Sequence, residues 1–200
     1  MQVSNINKVT LTQDAILDAA VSRFQHYGIS KTTMSDIASD VDMSTANLYR
    51  YFKNKEDIAI ACAQRCLSER SNRLLAVVDS PLMSADEKIK EFVNEILSYT
   101  YDQVSSNHRI NELVNLVAIK YKDVVFNKNI VEQDLIKTIL DQGIKEGLFE
   151  IDDIKQTALA VHTSLNIFQL PLAMTIYSYE DLQEMASVTT ALLLNGIIKK

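Results

Sequence analysis

At 200 residues the chain can hold one or two small domains, each with its own core. A hydrophobic share of 47% excludes a disordered tail, and only 4 Gly and 2 Pro argue against a loop-rich or all-β protein. The formal net charge of −6 opposes binding of a polyanion through overall charge alone, so any such binding needs a local patch.

The opening run MQVSNINK has no apolar stretch of the kind a secretory signal carries. No apolar run approaches the roughly 18 residues that a membrane span requires. The expectation is a cytoplasmic protein that does not enter a membrane. The first helix is expected over Thr12 to Tyr27, with Ile16, Ala20, Phe24 and Tyr27 as its buried stripe and Asp14 and Asp18 outside. Gly28 stops it, as a glycine just past a helix end does.

A second helix is expected over Thr33 to Val41. Met34, Ile37, Ala38 and Val41 fall on one face, Thr33 is a good N-cap, and Asp36 suits the first turn. Asp42-Met43-Ser44 reads as a tight turn, because Asp tolerates the left-handed backbone. Ser44 then caps a helix over Thr45 to Phe52, which buries Leu48 and Phe52. Thr45, Asn47, Tyr49, Arg50 and Tyr51 are left pointing outward, with Lys53 and Lys55 close behind.

A long helix follows over Lys55 to Val78, carrying Ile58, Cys62, Cys66, Leu74 and Val77, with Glu69, Arg70 and Arg73 between them. Ser80-Pro81 breaks it. Cys62 and Cys66 lie four apart on this helix, about 5–6 Å between Cβ atoms, against roughly 3.8 Å in a disulfide. They read as small apolar residues. Ser84 to Glu87 has the capping-box pattern and opens a helix with Ile89, Phe92, Val93, Ile96, Leu97 and Val104 inward. Ser105 to His108 reads as a loop. A helix over Ile110 to Tyr121 uses Leu113, Val114, Val117 and Tyr121. Lys122 to Lys128 reads as a second break, before a helix that turns Ile136, Ile139, Leu140 and Ile144 inward and ends at Gly147.

Asp152-Asp153 start a helix with Ala158, Val161, Leu165 and Phe168 to one side and Leu159, His162 and Ile167 around the rest. A helix so apolar needs burial on more than one side. Pro171 kinks or ends it. The last helix, over Tyr179 to Ile198, carries Leu182, Met185, Leu192, Leu193 and Ile197. The fold class is therefore all-α.

Charge is uneven along the chain. Residues 1–55 hold six bases and five acids, a net +1, which leaves −7 for the remainder. A short exposed helix with Asn, Tyr and Arg on one face suits a DNA major groove: Asn and Arg read base edges, while Tyr and Thr hydroxyls reach phosphate oxygens. An ordinary helical hairpin with a polar outer face would show the same spacing.

The run Gly28-Ile29-Ser30-Lys31-Thr32-Thr33-Met34-Ser35-Asp36-Ile37-Ala38, then Ser44, then Leu48-Tyr49-Arg50-Tyr51-Phe52-Lys53-Asn54-Lys55-Glu56-Asp57, resembles the DNA-binding domain of the tetracycline-repressor (TetR) family. The resemblance covers about the first 57 residues. Asp42 stands where the family usually has Gly, and Thr45-Ala46 where a basic residue and Gly are common. The resemblance implies a three-helix helix-turn-helix DNA-binding domain over residues 1–55 and a helical effector-binding and dimerisation bundle over residues 56–200. It implies DNA contacts from Thr33, Ser44, Thr45, Asn47, Tyr49, Arg50, Tyr51 and Lys55. It further implies a homodimer that binds a double-stranded operator as a repressor and is released by a small apolar effector.

For the effector pocket the expected residues are Phe92, Ile96, Tyr99, Leu113, Val117, Tyr121, Phe126, His162 and Phe168; plain core packing would use the same positions. For the subunit interface they are Val161, Leu165, Leu192 and Leu193. His26, His108 and His162 are far apart in sequence. No metal-binding, nucleophile-elbow, P-loop or dinucleotide motif is present. No catalytic residue, metal or cofactor is therefore expected. The rival reading is a helical ligand-binding or scaffold protein whose helix-turn-helix no longer reads DNA.

Overall fold

The computed structural model describes residues 2–106 and 109–199, with backbone alone for residues 2–11 and 110. His108, and with it half of the expected loop at 105–108, lies outside the described residues. The chain divides into two compact units, one of residues 1–66 and 107–121, the other of residues 67–106 and 122–200.

In the first unit, α1 (Gln2–Tyr27) starts ten residues before the expected Thr12. No Gly or Pro precedes Gly28, so the run before Thr12 contains nothing to break a helix. Gly28 ends α1 at φ 84°, a left-handed value that suits glycine. Tyr27 is 55% exposed rather than buried, and the Arg23 guanidinium lies over its ring. The inward stripe is instead Ile16, Leu17, Ala20 and Phe24.

Next come α2 (Met34–Asp40) and α3 (Thr45–Leu48), shorter than the expected Thr45 to Phe52. Past Leu48 the chain continues in hydrogen-bonded turns, with the Tyr51 and Phe52 N–H groups donating to the Leu48 carbonyl. The first part of α4 (Lys55–Val78) completes the core with Ile58, Ala59 and Cys62. Cys66 is only half-buried. Arg65 pairs with Asp18 at 2.8 Å and ties α4 to α1.

The second unit begins within α4, which is continuous across the division. α5 (Ala85–Ser106) opens as expected on Ser84, whose N–H donates to Glu87 at 2.9 Å. Ser105 and Ser106 are helical rather than looped. The Ser106 hydroxyl donates to the Asp102 carbonyl at 2.7 Å, which lets serine stay in the last turn. α6 (Ile110–Lys120) belongs to the first unit, where Leu113 and Leu116 pack on the core, whereas Val114 is 36% exposed.

The break before α7 (Lys122–Lys145) falls at Tyr121 alone, not across Lys122 to Lys128. Asp123 suits the positive end of that helix; Lys122, Asp123 and Asn127 of the expected break are exposed on it, while Lys128 turns inward to Glu132. α8 (Ile154–Ser164) is capped by Asp153. A 3₁₀ turn (Asn166–Gln169) and α9 (Ala173–Ile176) occupy the stretch around Pro171. α10 (Tyr179–Ile197) closes the chain with a full capping box at Ser178 and Asp181. Phe92, Ile96, Ile136, Ile139, Leu140, Leu165 and Phe168 form the centre of this unit's core. No described helix is long and apolar enough to cross a membrane.

Candidate nucleic-acid interface

The reading surface depends on how α2 and α3 are fixed. Thr33 caps α2 twice over: its hydroxyl accepts the Asp36 N–H at 3.2 Å, and its own N–H donates to the Asp36 carboxylate at 2.9 Å. The Thr33 hydroxyl also donates to that carboxylate, and these bonds hold Asp36 below the usual carboxylate range. Arg23 reaches across from α1 to grip Asp40, with Nη2 to Oδ1 at 2.7 Å. That contact lowers the Asp40 carboxyl.

The turn after α2 needs a left-handed residue, and Asp42 supplies it at φ 51°. The Met43 N–H closes back onto the Ala38 carbonyl at 3.0 Å. Ser44 then caps α3 by accepting the Asn47 N–H at 3.2 Å. Leu48 is fully buried and anchors α3 to the core. Burying one Leu stabilises by about 1.5–3 kcal/mol.

With Leu48 inward, Tyr49 is 53% exposed and Arg50 is exposed, with no acid partner among the described residues. Ser44 and Thr33 are exposed, and Thr45 and Asn47 are half-buried. Tyr51 is half-buried against the core, so only part of its ring remains available. Lys55 differs from the expected role. Its ammonium donates to the Ser30 carbonyl at 3.0 Å and the Thr32 carbonyl at 2.7 Å, which secures the link between α1 and α2. A cleft of about 480 Å³ lies against this link, lined by Thr32, Thr33, Met34, Tyr49, Asn54, Lys55 and Glu56. The hydroxyls and amide of α3, with the Tyr49 hydroxyl and the Arg50 guanidinium in the turn just past it, can donate to base edges and phosphates.

α6 also binds to this unit. The Ile29 N–H donates to Glu112 at 3.0 Å, Arg109 pairs with Glu112 at 2.9 Å, and Lys120 pairs with Glu56 at 2.8 Å. Sequence reading missed Glu112, because nothing local marks a carboxylate that meets a backbone N–H 83 residues away.

The residues expected around an effector are divided between the two units. Leu113 and Val117 are on α6 and Tyr121 is the residue just past it, all in the first unit. Phe92, Ile96, Tyr99, His162 and Phe168 are buried in the second. Phe126 is 65% exposed on α7, because the face it shares is the solvated one. His162 bonds to Glu132, 3.0 Å from Nε2 to Oε2. Of the residues expected at an interface, Val161 and Leu165 are 2% and 0% exposed within the single chain, so they are core side chains with no area to offer a partner. Leu193 packs partly on the same core, and Leu192 is 73% exposed. Leu159, Val188 and Leu192 are the exposed apolar side chains of α8 and α10.

Residues 16–62 match the family model described as bacterial regulatory proteins, tetR family. The HTH-type transcriptional repressor KstR2 of Rhodococcus jostii is 24% identical over 142 residues, which is 68% of this chain and 67% of KstR2. The fatty acid metabolism regulator protein of Bacillus subtilis is 22% identical over 191 residues, covering 92% of this chain and 95% of that protein. The crystal structure of a transcriptional regulator from Cytophaga hutchinsonii shares the fold, with a TM-score of 0.72 at 24% identity over 93% of this chain and 98% of the other.

Proposed function

Because the chain belongs to the TetR family of transcriptional regulators, we propose that it is a cytoplasmic repressor that leaves a pseudo-palindromic operator when a small molecule binds. The observation that carries this reading is α3, a short capped helix that buries Leu48 and leaves Asn47, Tyr49 and Arg50 toward solvent. Affinity comes from this local patch, since net charge is −6.

The active form is a homodimer. Leu159, Val188 and Leu192 supply its apolar contact, taking the place of Val161 and Leu165. A two-fold dimer places its recognition helices about 34–36 Å apart, one turn of DNA. Control runs through α4, of which residues 55–66 belong to the unit that carries α3 and residues 67–78 to the unit that holds the effector. An effector that prefers the non-binding arrangement of this helix lowers operator affinity.

Protection mapping on DNA around the protein's own coding region tests the reading. The expected result is a protected pseudo-palindrome whose affinity falls linearly in a plot of log K against log salt. A chain that protects no segment would instead be a helical ligand-binding protein.

A further inference from the structure

Within the second unit a set of charged side chains is buried among apolar helices. Arg70 of α4 and Glu132 of α7 are 5% and 1% exposed, and Arg70 Nη2 donates to Glu132 Oε1 at 2.6 Å. Lys128, one turn earlier on α7, pairs with Glu132 Oε2 at 3.1 Å, and His162 of α8 meets the same oxygen. Gln169, on the 3₁₀ turn, accepts from Arg70 at 2.7 Å and from Lys128. With two cationic donors on its oxygen, the Gln169 amide has a fixed orientation. Among the described residues two buried donors here have no partner, Arg70 Nε and Gln169 Nε2.

Burial by itself drives the Glu132 carboxyl up, but His162, Arg70 and Lys128 outweigh it and hold the group below the usual range. A guanidinium and an ammonium thus face one carboxylate. A buried charge without a counterion is costly, and so is each buried donor without an acceptor. Apolar side chains of similar volume would pack these helices without either cost.

We propose that Arg70, Gln169 and Lys128 receive the anionic head group, of carboxylate class, of the small-molecule effector. The proposal rests on the effector reading above and replaces an uncharged apolar effector with an acid. A carboxylate brings one negative charge for the unmatched positive one, and two oxygens for the two unpartnered donors. Arg70 is itself on α4, so capture of the head group acts on that helix directly.

The test compares decanoate with decan-1-ol by calorimetric titration of the full chain, with formate as the head group alone. The native protein is expected to bind decanoate about tenfold or more tightly than the alcohol, the factor one charged hydrogen bond brings. Formate is expected to raise Tm above that in matched chloride. Gln169→Leu removes an unpartnered donor without changing charge and is expected to lose most of the preference; Arg70→Gln does the same if it folds. Equal affinity for acid and alcohol overturns the proposal. So does a preference that survives in Gln169→Leu, and so does failure of both carboxylates to bind, since the cluster is then purely structural. The same preparations are titrated with protected DNA. DNA binding without carboxylate binding sinks the head-group site alone, whereas carboxylate binding without DNA binding sinks the repressor reading.

Discussion

Leu48 and Arg50 are two residues apart and face opposite environments. One is fully buried, while the other is exposed and unpaired by any described acid. Replacing Asn47 or Arg50 by Ala should weaken operator binding by about 1–3 kcal/mol where the side chain makes a good base contact, with little change in nonspecific binding. Comparing each variant on operator and scrambled DNA decides this. Lys55 behaves differently because its ammonium is spent on the Ser30 and Thr32 carbonyls. Lys55→Ala should lower thermal stability and weaken all DNA sequences about equally; unchanged Tm would contradict the structural role.

Lys128 gives a residue-scale test by pH. Burial, reinforced by the charge of Arg70, pulls its ammonium down to about 8, with Glu132 opposing. In the unfolded chain a lysine titrates at about 10.4. Between these values the folded chain holds fewer protons than the unfolded one, so stability rises with pH across that window. The groups facing the ammonium are Arg70, Glu132 and Gln169, with His162 on the same carboxylate. The stability of the native protein relative to Lys128→Met should rise by roughly 1–3 kcal/mol between about pH 8 and 10. A difference that stays flat would mean that Glu132 outweighs burial.

At the scale of elements, boundaries marked by a residue with one physical job were legible. Gly28 and Gly147 end helices in left-handed conformations, Asp42 makes its turn, and Thr33, Ser44 and Asp153 cap. Boundaries without such a marker were not. Residues 2–11 and 122–128 mix polar and apolar side chains without a clear stripe yet are helical, because polar residues do not stop a helix when Gly and Pro are absent. Gly143 shows what periodicity could not foresee. A Cβ there would stand 2.1 Å from Phe149 Cδ2, and that ring is only 3% exposed. Gly143→Ala should therefore destabilise by about 1–3 kcal/mol despite its better helix propensity, read by denaturant unfolding. A neutral result would mean that Phe149 has room to move.

At the scale of the whole molecule, helical spacing revealed which faces are apolar but not what covers them. Val161 and Leu165 have the same pattern as an interface, and the core of their own chain takes them, whereas Leu159, Val188 and Leu192 are exposed. Leu192→Asp should weaken dimerisation in sedimentation with little effect on the folded subunit, since the side chain is 73% exposed in the single chain. The buried charged cluster was illegible because residues 70, 128, 132, 162 and 169 meet only in the fold. If binding at that cluster controls DNA affinity, coupling is reciprocal: operator must weaken effector binding by the factor with which effector weakens operator binding, typically 5–150-fold for about 1–3 kcal/mol.

On the proposed function, α3 and Arg50 just past it read a DNA sequence. The most direct measurement is an anisotropy titration of native protein and Arg50→Ala against the protected DNA and a scrambled copy at the same salt. The native protein is expected to prefer the protected sequence, and Arg50→Ala to lose about tenfold or more of that preference while binding the scrambled copy almost unchanged. Equal affinity of the native protein for both sequences, or a preference untouched by Arg50→Ala, would contradict that reading.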